Sequence, residues 1–259
     1  MPPVALTIAG SDPSGGAGIQ ADLKTFHQFG VYGEAAITLL TVQNTMRVSR
    51  VVVMPVELVI QQIEAVLEDI PPAAAKTGAL GSAEVVEAVA RVAGSFGFPL
   101  VVDPVMVSKH GAPLLPEPAM RAMRDALLPR AALITPNAPE AEALTGLEVR
   151  DVEGMRRAAV RIREMGARAV LIKGGHLDGP ATDILFDGEW REFPAPRIDT
   201  RHTHGTGCTY SAAITAGLAC GLALGDAVER AKRFIQDAIR TNPGLGRGSG
   251  PVNHHAEVR

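Results

Sequence analysis

Short aliphatic runs alternate with amphipathic helical patterns along the first 175 residues of this 259-residue chain. Apolar residues spaced three and four apart predict helices, whereas short β-branched or aliphatic runs predict buried strands. The predicted strands are 4–9, 34–42, 73–77, 100–103, 132–135 and 169–173, and the predicted helices are 18–29, 55–70, 84–94, 116–128, 139–145, 152–165, 209–221 and 227–241. We expect the strand at 34–42 to be buried on both sides, because its residues are mainly apolar.

This alternation predicts an α/β fold in which a mostly parallel central sheet lies between two layers of helices, a three-layer αβα sandwich. Residues 182–186 and 189–193 flank Asp187-Gly188, which predicts an antiparallel hairpin at one edge of the sheet. No linker, repeat or low-complexity segment interrupts the pattern. We therefore expect one domain over residues 1–259.

Charge and composition argue against several classes of function. The formal net charge is −3 and no run of like charge reaches five, which argues against nucleic-acid partners and basic membrane surfaces. The apolar stretches are far shorter than the ~20 residues that a membrane span requires. Residues 1–4 carry no basic segment or cleavage signature, and Cys208 and Cys220 have no metal-binding spacing. We expect a protein of the reducing cytoplasm.

Polar or glycine-rich residues follow nearly every predicted parallel strand. In open α/β sheets, ligands bind beyond the carboxyl ends of the strands. One polar loop carries little information, but six of them predict a shared cleft. These loops are Gly10-Ser11-Asp12, Gln43-Asn44, Gly78, Asp103, Asn137 and Gly174-Gly175-His176.

A glycine-rich turn, Gly205-Thr206-Gly207, directly precedes Cys208 and an Ala/Gly-rich helix. Such a turn aims backbone N–H groups at one point, where the helix dipole also favours negative charge. It suits a phosphate or the charge that develops during phosphoryl transfer. The alternative is a tight turn in which Thr206 caps the helix.

Cys208 has two interpretations. The helix N-terminus is expected to lower the pKa of its thiol, which would let it act as a general base toward a substrate hydroxyl. The alternative is a small buried hydrophobe, which is the usual role of a lone cysteine.

The first loop contains Gly16-Ala17-Gly18-Ile19-Gln20-Ala21, which matches the dinucleotide-binding pattern G-x-G-x-x-G/A. That pattern requires an acidic residue at the end of the second strand, where this chain has Gln43-Asn44. The G-x-x-x-x-G-K-[ST] phosphate loop does not occur in the sequence. A dinucleotide oxidoreductase is therefore disfavoured, and any ATP site must be of another kind.

Several polar residues have both a chemical and a structural interpretation. Asp22 is either a site residue or a solvated acid in the first turn of a helix. Gln43 can read an aminopyrimidine edge or form a turn. Asn137 and Glu140 offer oxygen ligands for Mg²⁺, or form a capping box. Lys173 can contact ATP phosphates or remain solvated.

Together these segments resemble the ribokinase-like superfamily, and specifically the bacterial hydroxymethylpyrimidine/phosphomethylpyrimidine kinases of thiamine biosynthesis. The resemblance covers almost the whole chain. The segments that carry it are Leu6–Thr25, Val42-Gln43-Asn44-Thr45, Asp103-Pro104-Val105-Met106, Ile134-Thr135-Pro136-Asn137, Lys173-Gly174-Gly175-His176 and Thr203–Thr209.

The resemblance implies transfer of the ATP γ-phosphoryl group to 4-amino-5-hydroxymethyl-2-methylpyrimidine and then to its monophosphate. It implies that Gln43, Asp22 and Gly10 bind the pyrimidine, and that Asn137 and Glu140 organise Mg²⁺ and its waters. Lys173, Asp103, Asn137 and Thr203 would line the nucleotide site. The backbone of Gly205, Thr206, Gly207 and Cys208 would form the anion hole, with Cys208 in the place of the usual aspartate base.

The sequence departs from the family at Ala79, where methionine is common, and the pocket is expected to be roomier as a result. A pyridoxal or pyridoxine kinase on the same fold is therefore the nearest alternative. A non-catalytic pyrimidine- or nucleotide-sensing domain is another, which the intact anion-hole and Mg²⁺ elements disfavour. The resemblance also implies a homodimer, and a sheet edge near residues 30–36 is the candidate interface.

Overall fold

A computed structural model describes residues 1–107, 111 and 114–259. Its described strands form one nine-stranded sheet in the order β3-β2-β1-β4-β5-β6-β7-β8-β9. The strands are β1 Val4–Ser11, β2 Tyr32–Asn44, β3 Arg47–Val53, β4 Ala74–Thr77, β5 Leu100–Val102, β6 Leu133–Ile134, β7 Val170–Ile172, β8 Asp183–Phe186 and β9 Trp190–Phe193. The six strands from β2 to β7 across the sheet are parallel, and β3, β8 and β9 are joined by antiparallel pairings.

Helices cover both faces of the sheet, as predicted. They are α1 Gly18–Gln28, α2 Val56–Asp69, α3 Ala83–Ala93, α4 Glu117–Ala122, α5 Ala138–Thr145, α6 Val152–Glu164, α7 Thr206–Ala219 and α8 Leu224–Arg240. One core lies between the sheet and helices α2 to α6, and a second lies between the sheet and α1, α7 and α8. The three-layer αβα sandwich and the edge hairpin at β8–β9 are thus confirmed.

The other end of the sheet differs from the prediction. Strand β3 was not predicted, and it pairs antiparallel with the second half of β2, from Leu39↔Val53 to Asn44↔Arg47. Its first four residues, Arg47-Val48-Ser49-Arg50, are mostly polar, and no glycine marks the turn before it. Strand β2 is therefore not buried on both sides: Val42, near its end, is 58% exposed.

Two helices have boundaries that differ from the predicted ones. The helix predicted at 116–128 is divided into α4, a π-helical turn at Met123–Leu127 and a 3₁₀ turn at Leu128–Arg130. Helix α7 begins at Thr206, three residues before its predicted start, so the glycine-rich turn lies partly inside its first turn. No helix in the described part of the chain is both long and apolar enough to cross a bilayer.

Candidate active site

The glycine-rich turn at the start of α7 packs directly on the first loop, which joins β1 to α1. Gly205 is the N-cap of α7, and its φ of +80° lies in the left-handed region that glycine tolerates best. A Cβ atom on Gly205 would collide with the carbonyl oxygen of Gly16. Only glycine therefore permits this contact between the two backbones.

An acidic side chain in the first loop holds the two segments together. The Oδ2 atom of Asp12 lies 2.7 Å from Nε2 of His204 and also accepts hydrogen bonds from the backbone N–H groups of Gly16 and Ala17. Although burial opposes it, hydrogen bonding to His204, Ser14 and Gln43 holds the pKa of Asp12 well below its usual range. Asp12 is therefore a carboxylate that orients the turn.

The first turn of α7 leaves donors for an anion. Thr206 uses its backbone N–H and its hydroxyl on the carbonyl of Thr203, and the first intrahelical hydrogen bond runs from the N–H of Thr209 to the carbonyl of Gly205. The amides of Gly207 and Cys208 precede that bond, so the helix provides no acceptor for them. The cap is Gly205 and not Thr206, and the amides that remain available at this helix start are those of Gly207 and Cys208.

A lysine from the end of β7 faces this turn. A Cβ atom on Gly207 would lie 3.3 Å from Nζ of Lys173. Lys173 donates to Oδ1 of Asp103 at 3.1 Å, and the hydroxyl of Thr135 donates to the same oxygen. Although burial alone would lower it, Asp103 and Glu140 raise the pKa of Lys173. A cation thus lies beside the amides of Gly207 and Cys208, and its contact with phosphate stays a prediction.

Asn137 and Glu140 form a capping box at the start of α5. The Asn137 side chain accepts from the N–H of Glu140 at 2.9 Å, and the Glu140 carboxylate accepts from the N–H of Asn137 at 2.8 Å. Burial raises the pKa of Glu140 to about 7, with Lys173 opposing the rise and Asp103 adding to it. One carboxylate oxygen of Glu140 remains outside the box.

Cys208 lies where α1 and α7 both begin, within reach of a hydrogen bond from the backbone N–H of Gly18. The expectation of a lowered pKa was wrong. Burial raises the pKa of the thiol to about 12; Lys76 and the Gly18 N–H oppose the rise, and Asp22 and Asp103 add to it. The cost of burying a thiolate thus exceeds the benefit of two helix N-termini.

A buried ion pair beside Cys208 was missed by the sequence analysis. Lys76 in β4 donates to Oδ1 of Asp22 in α1 at 2.7 Å, and the Thr7 hydroxyl donates to Oδ2 at 2.6 Å. Both charged side chains are fully buried. Burial alone would lower the pKa of Lys76, but Asp22, Cys208 and Asp103 raise it. A lysine inside a four-residue buried strand was the signal that could have identified this pair.

The residues predicted to bind the pyrimidine occupy different environments. Gln43 is half-buried at the end of β2 and reaches Asp12. Asp22 is not a solvated acid, because Lys76 and Thr7 occupy both of its oxygens. Gly10 is buried, and a Cβ atom there would lie 2.5 Å from the Leu39 side chain. Direct contact of Asp22 or Gly10 with substrate stays a prediction.

The segment 248–254 closes the side of the site near β2. Pro251 forms a parallel bridge with His204, and the N–H of Gly248 donates to the Thr45 hydroxyl at 3.3 Å. The hydroxyl of Thr209 in α7 lies 3.1 Å from Nε2 of His254. The turn between β2 and β3 is therefore tied to the anion-binding turn by a segment that is distant in sequence.

The layered fold and the amide-lined turn at the start of α7 define a ribokinase-like kinase. The sequence matches the family model described as phosphomethylpyrimidine kinase over residues 12–253. The chain belongs to the phosphomethylpyrimidine kinase family, which confirms the resemblance.

The similar proteins include kinases named for phosphomethylpyrimidine and for pyridoxal. The hydroxymethylpyrimidine/phosphomethylpyrimidine kinase of Bacillus subtilis (strain 168) is 48% identical over 259 residues, covering 98% of this chain and 96% of the relative. A crystal structure of a Bacillus subtilis pyridoxal kinase in an ADP complex superposes with a TM-score of 0.92 at 39% identity, covering 99% of this chain and 98% of that one. A phosphomethylpyrimidine kinase from Clostridium difficile 630 gives a TM-score of 0.82 at 44% identity, covering 92% and 99%.

The buried pair generates a stability prediction. Lys76→Met keeps the length of the side chain but leaves the Asp22 carboxylate buried without a counter-charge, so the free energy of unfolding should fall by about 3–5 kcal/mol. Urea denaturation measures it, and Arg233→Met, at an exposed ion pair on α8, is the control with little expected change. The double variant Asp22→Asn/Lys76→Met should be more stable than Lys76→Met. Equal stabilities would show that the unpaired charge is not the cause.

Proposed function

We propose that this protein transfers the γ-phosphoryl group of ATP to the hydroxymethyl group of 4-amino-5-hydroxymethyl-2-methylpyrimidine, and then phosphorylates the monophosphate to the diphosphate. The proposal rests on the turn at Gly205–Cys208. Its free amides lie beside the Lys173 ammonium and near the carboxyl end of β1. Phosphoryl transfer depends on positioning and on stabilising negative charge, and amides and cations fixed in advance supply both.

Each element of the site has a role in this reaction. The amides of Gly207 and Cys208 hold the migrating phosphoryl group, and Lys173, paired with Asp103, neutralises phosphate charge. Thr203 lines the nucleotide site. In its thiolate form, which becomes more populated as the pH rises and which the positive charge of Lys76 favours, Cys208 accepts the proton of the attacking hydroxyl. Gln43 reads the aminopyrimidine edge with its donor and acceptor. Asp12 and His204 keep the turn in place.

The residues of the site fit Mg²⁺. Among the described residues, no three His, Cys, Asp or Glu side chains converge as a metal site. Glu140 and Asn137 nevertheless supply oxygen donors near Lys173, and Mg²⁺ usually takes one or two carboxylates plus water and substrate phosphates. When bound, the ion would neutralise charge on the phosphates. Burial raises the pKa of Glu140 to about 7, so Glu140 loses its proton as the pH rises, and this would favour binding of Mg²⁺.

A vitamin B6 kinase activity is the second candidate. It is supported by the fold similarity to the pyridoxal kinase described above and by Ala79, which is partly exposed where the family commonly has the larger methionine. Phosphorylation rates with hydroxymethylpyrimidine, its monophosphate and pyridoxine, measured side by side with ATP, test both proposals. Turnover of pyridoxine alone would replace the first proposal by the second.

We also propose that the protein is a cytoplasmic homodimer. The first half of β2 pairs with β1 on one edge only. On the other edge the Gln62 side chain hydrogen-bonds to the backbone N–H and C=O of Ile37, and no described strand lies beside Gly33–Ala36. A second copy could add its own β2 there. Sedimentation equilibrium should give about twice the 27.1 kDa of one chain, and a particle of single mass would contradict the dimer. Cell fractionation tests the location.

Replacement of the thiol should separate the two phosphorylation steps. The first acceptor is an alcohol, whereas the second is a phosphate monoester that is already anionic near neutral pH, since its second pKa is about 6. Cys208→Ala should therefore slow the first step by ~10²–10⁴-fold and the second step far less. Because the thiol pKa is raised, the first-step rate of the unmodified protein should also rise with pH above 7.

Single-turnover assays on each acceptor measure these rates. Cys220→Ala, at the exposed thiol that ends α7, is the matched control and should change neither step. Equal loss of both steps in Cys208→Ala would mean that Cys208 shapes the anion-binding turn and does not accept the proton.

Substitution of the pyrimidine-reading amide should affect one ligand only. Gln43→Leu removes the donor and acceptor, so the dissociation constant for hydroxymethylpyrimidine should rise about 10-fold or more while that for ATP stays nearly unchanged. Calorimetric titration with each ligand measures this, with Gln61→Leu on the exposed side of α2 as the control. Equal weakening of both ligands would show that Gln43 acts through Asp12 and the shared turn.

A further inference from the structure

A further buried ion pair lies beneath the loop that follows β7. The ammonium of Lys232 in α8 is 2.7 Å from Oδ2 of Asp183, the first residue of β8, and donates to the carbonyl of Ala181 at 2.7 Å. The Lys232 and Asp183 side chains are 9% and 3% exposed. Burial beside the Asp183 carboxylate also raises the pKa of Tyr210, so that hydroxyl adds no charge to the cluster.

The other oxygen of Asp183 connects this pair to the active site. Oδ1 accepts a hydrogen bond from the backbone N–H of Gly174 at 2.9 Å, and Gly174 directly follows Lys173. A Cβ atom on Gly174 would collide with the carbonyl of Thr182, so the backbone here lies tightly against the start of β8. On the other side, the N–H of Lys173 donates to the carbonyl of Pro136 at 2.9 Å.

We propose that Asp183 is a positioning residue for nucleotide binding: it fixes the Lys173-Gly174 turn so that the Lys173 ammonium stays beside the amides of Gly207 and Cys208. Lys232 supplies the buried counter-charge that holds the Asp183 side chain in place. The proposal rests on the proposed function, because it takes Lys173 as a phosphate contact. The reacting atoms touch neither Asp183 nor Lys232.

The physical reason is the strength of a charged acceptor. A hydrogen bond from an N–H group to a carboxylate is shorter and about twice as strong as one between neutral groups. A displacement of a catalytic group by about 1 Å removes a large part of its contribution to the rate. A strong hydrogen bond that fixes the turn therefore helps to keep the Lys173 ammonium in place. The outer part of the loop is held differently, by Arg197, which donates to the carbonyls of Gly175, Leu177 and Gly179.

Two matched variants separate positioning from stability. Both contain Lys232→Met, which removes the counter-charge. In one it is combined with Asp183→Asn, which keeps a neutral acceptor for the Gly174 N–H; in the other it is combined with Asp183→Ala, which keeps none. Removing both charges avoids the large penalty of leaving one of them unpaired in the interior. Thermal unfolding compares the two stabilities, and calorimetry with ADP compares the affinities.

The Asp183→Ala combination should bind ADP about 10-fold more weakly or worse, with KM for ATP raised in proportion and KM for the pyrimidine within about twofold. The Asp183→Asn combination should recover most of the ADP affinity. In a Lys173→Met background the two combinations should bind ADP equally, because the effect passes through Lys173. Equal ADP affinities with Lys173 intact, or equal losses for both substrates, would overturn the proposal.

A further variant covers failure of the neutral combinations to fold. Asp183→Glu keeps both charges and moves the acceptor by one methylene, and it should also weaken ADP binding; unchanged affinity would overturn the proposal. Unmodified protein that binds ADP but phosphorylates no pyrimidine would contradict the proposed function alone, and the variants would still decide the role of Asp183. Protein that binds no ADP would overturn both.

Discussion

The contact between two glycine backbones, Gly205 and Gly16, is the constraint on which the active site depends. It brings the start of α7 against the loop after β1. A Cβ atom on Gly205 would collide with the carbonyl oxygen of Gly16, and one on Gly16 would collide with the His204 ring. Asp12 then fixes the arrangement by binding His204 on one side and two backbone amides on the other. The amides of Gly207 and Cys208, the thiol and the Gln43 side chain take their positions from this junction.

Charge in the interior is arranged as balanced pairs around that junction. Lys76 with Asp22 and Lys173 with Asp103 give no net charge near Cys208, so an added thiolate would be uncompensated. This explains why the thiol keeps its proton although two helices begin beside it. A site balanced in this way tolerates the arrival of a polyanion only if further cations come with it, which is consistent with a nucleotide that is bound together with a metal ion.

The sequence predicted the layers, most strand positions and the loops that meet at the site, because these follow from hydrophobic period and from the rule that ligands bind at strand ends. It did not predict β3, whose polar positions hide the alternation, nor the partner of Asp22. The pKa of Cys208 was predicted with the wrong sign, since local position in a helix says nothing about burial by other elements. Asp12, His204 and Asp183 act through contacts between distant segments, which no local pattern reveals.

The segment 248–254 bears on the order in which parts of the protein fold. Its hydrogen bond to Thr45 joins residues 203 positions apart, so the two partners meet only once the chain between them has folded. The β-sheet and its helices can form before this segment settles between His204 and the β2–β3 turn. The side of the site near β2 is therefore completed after the sheet that supports it.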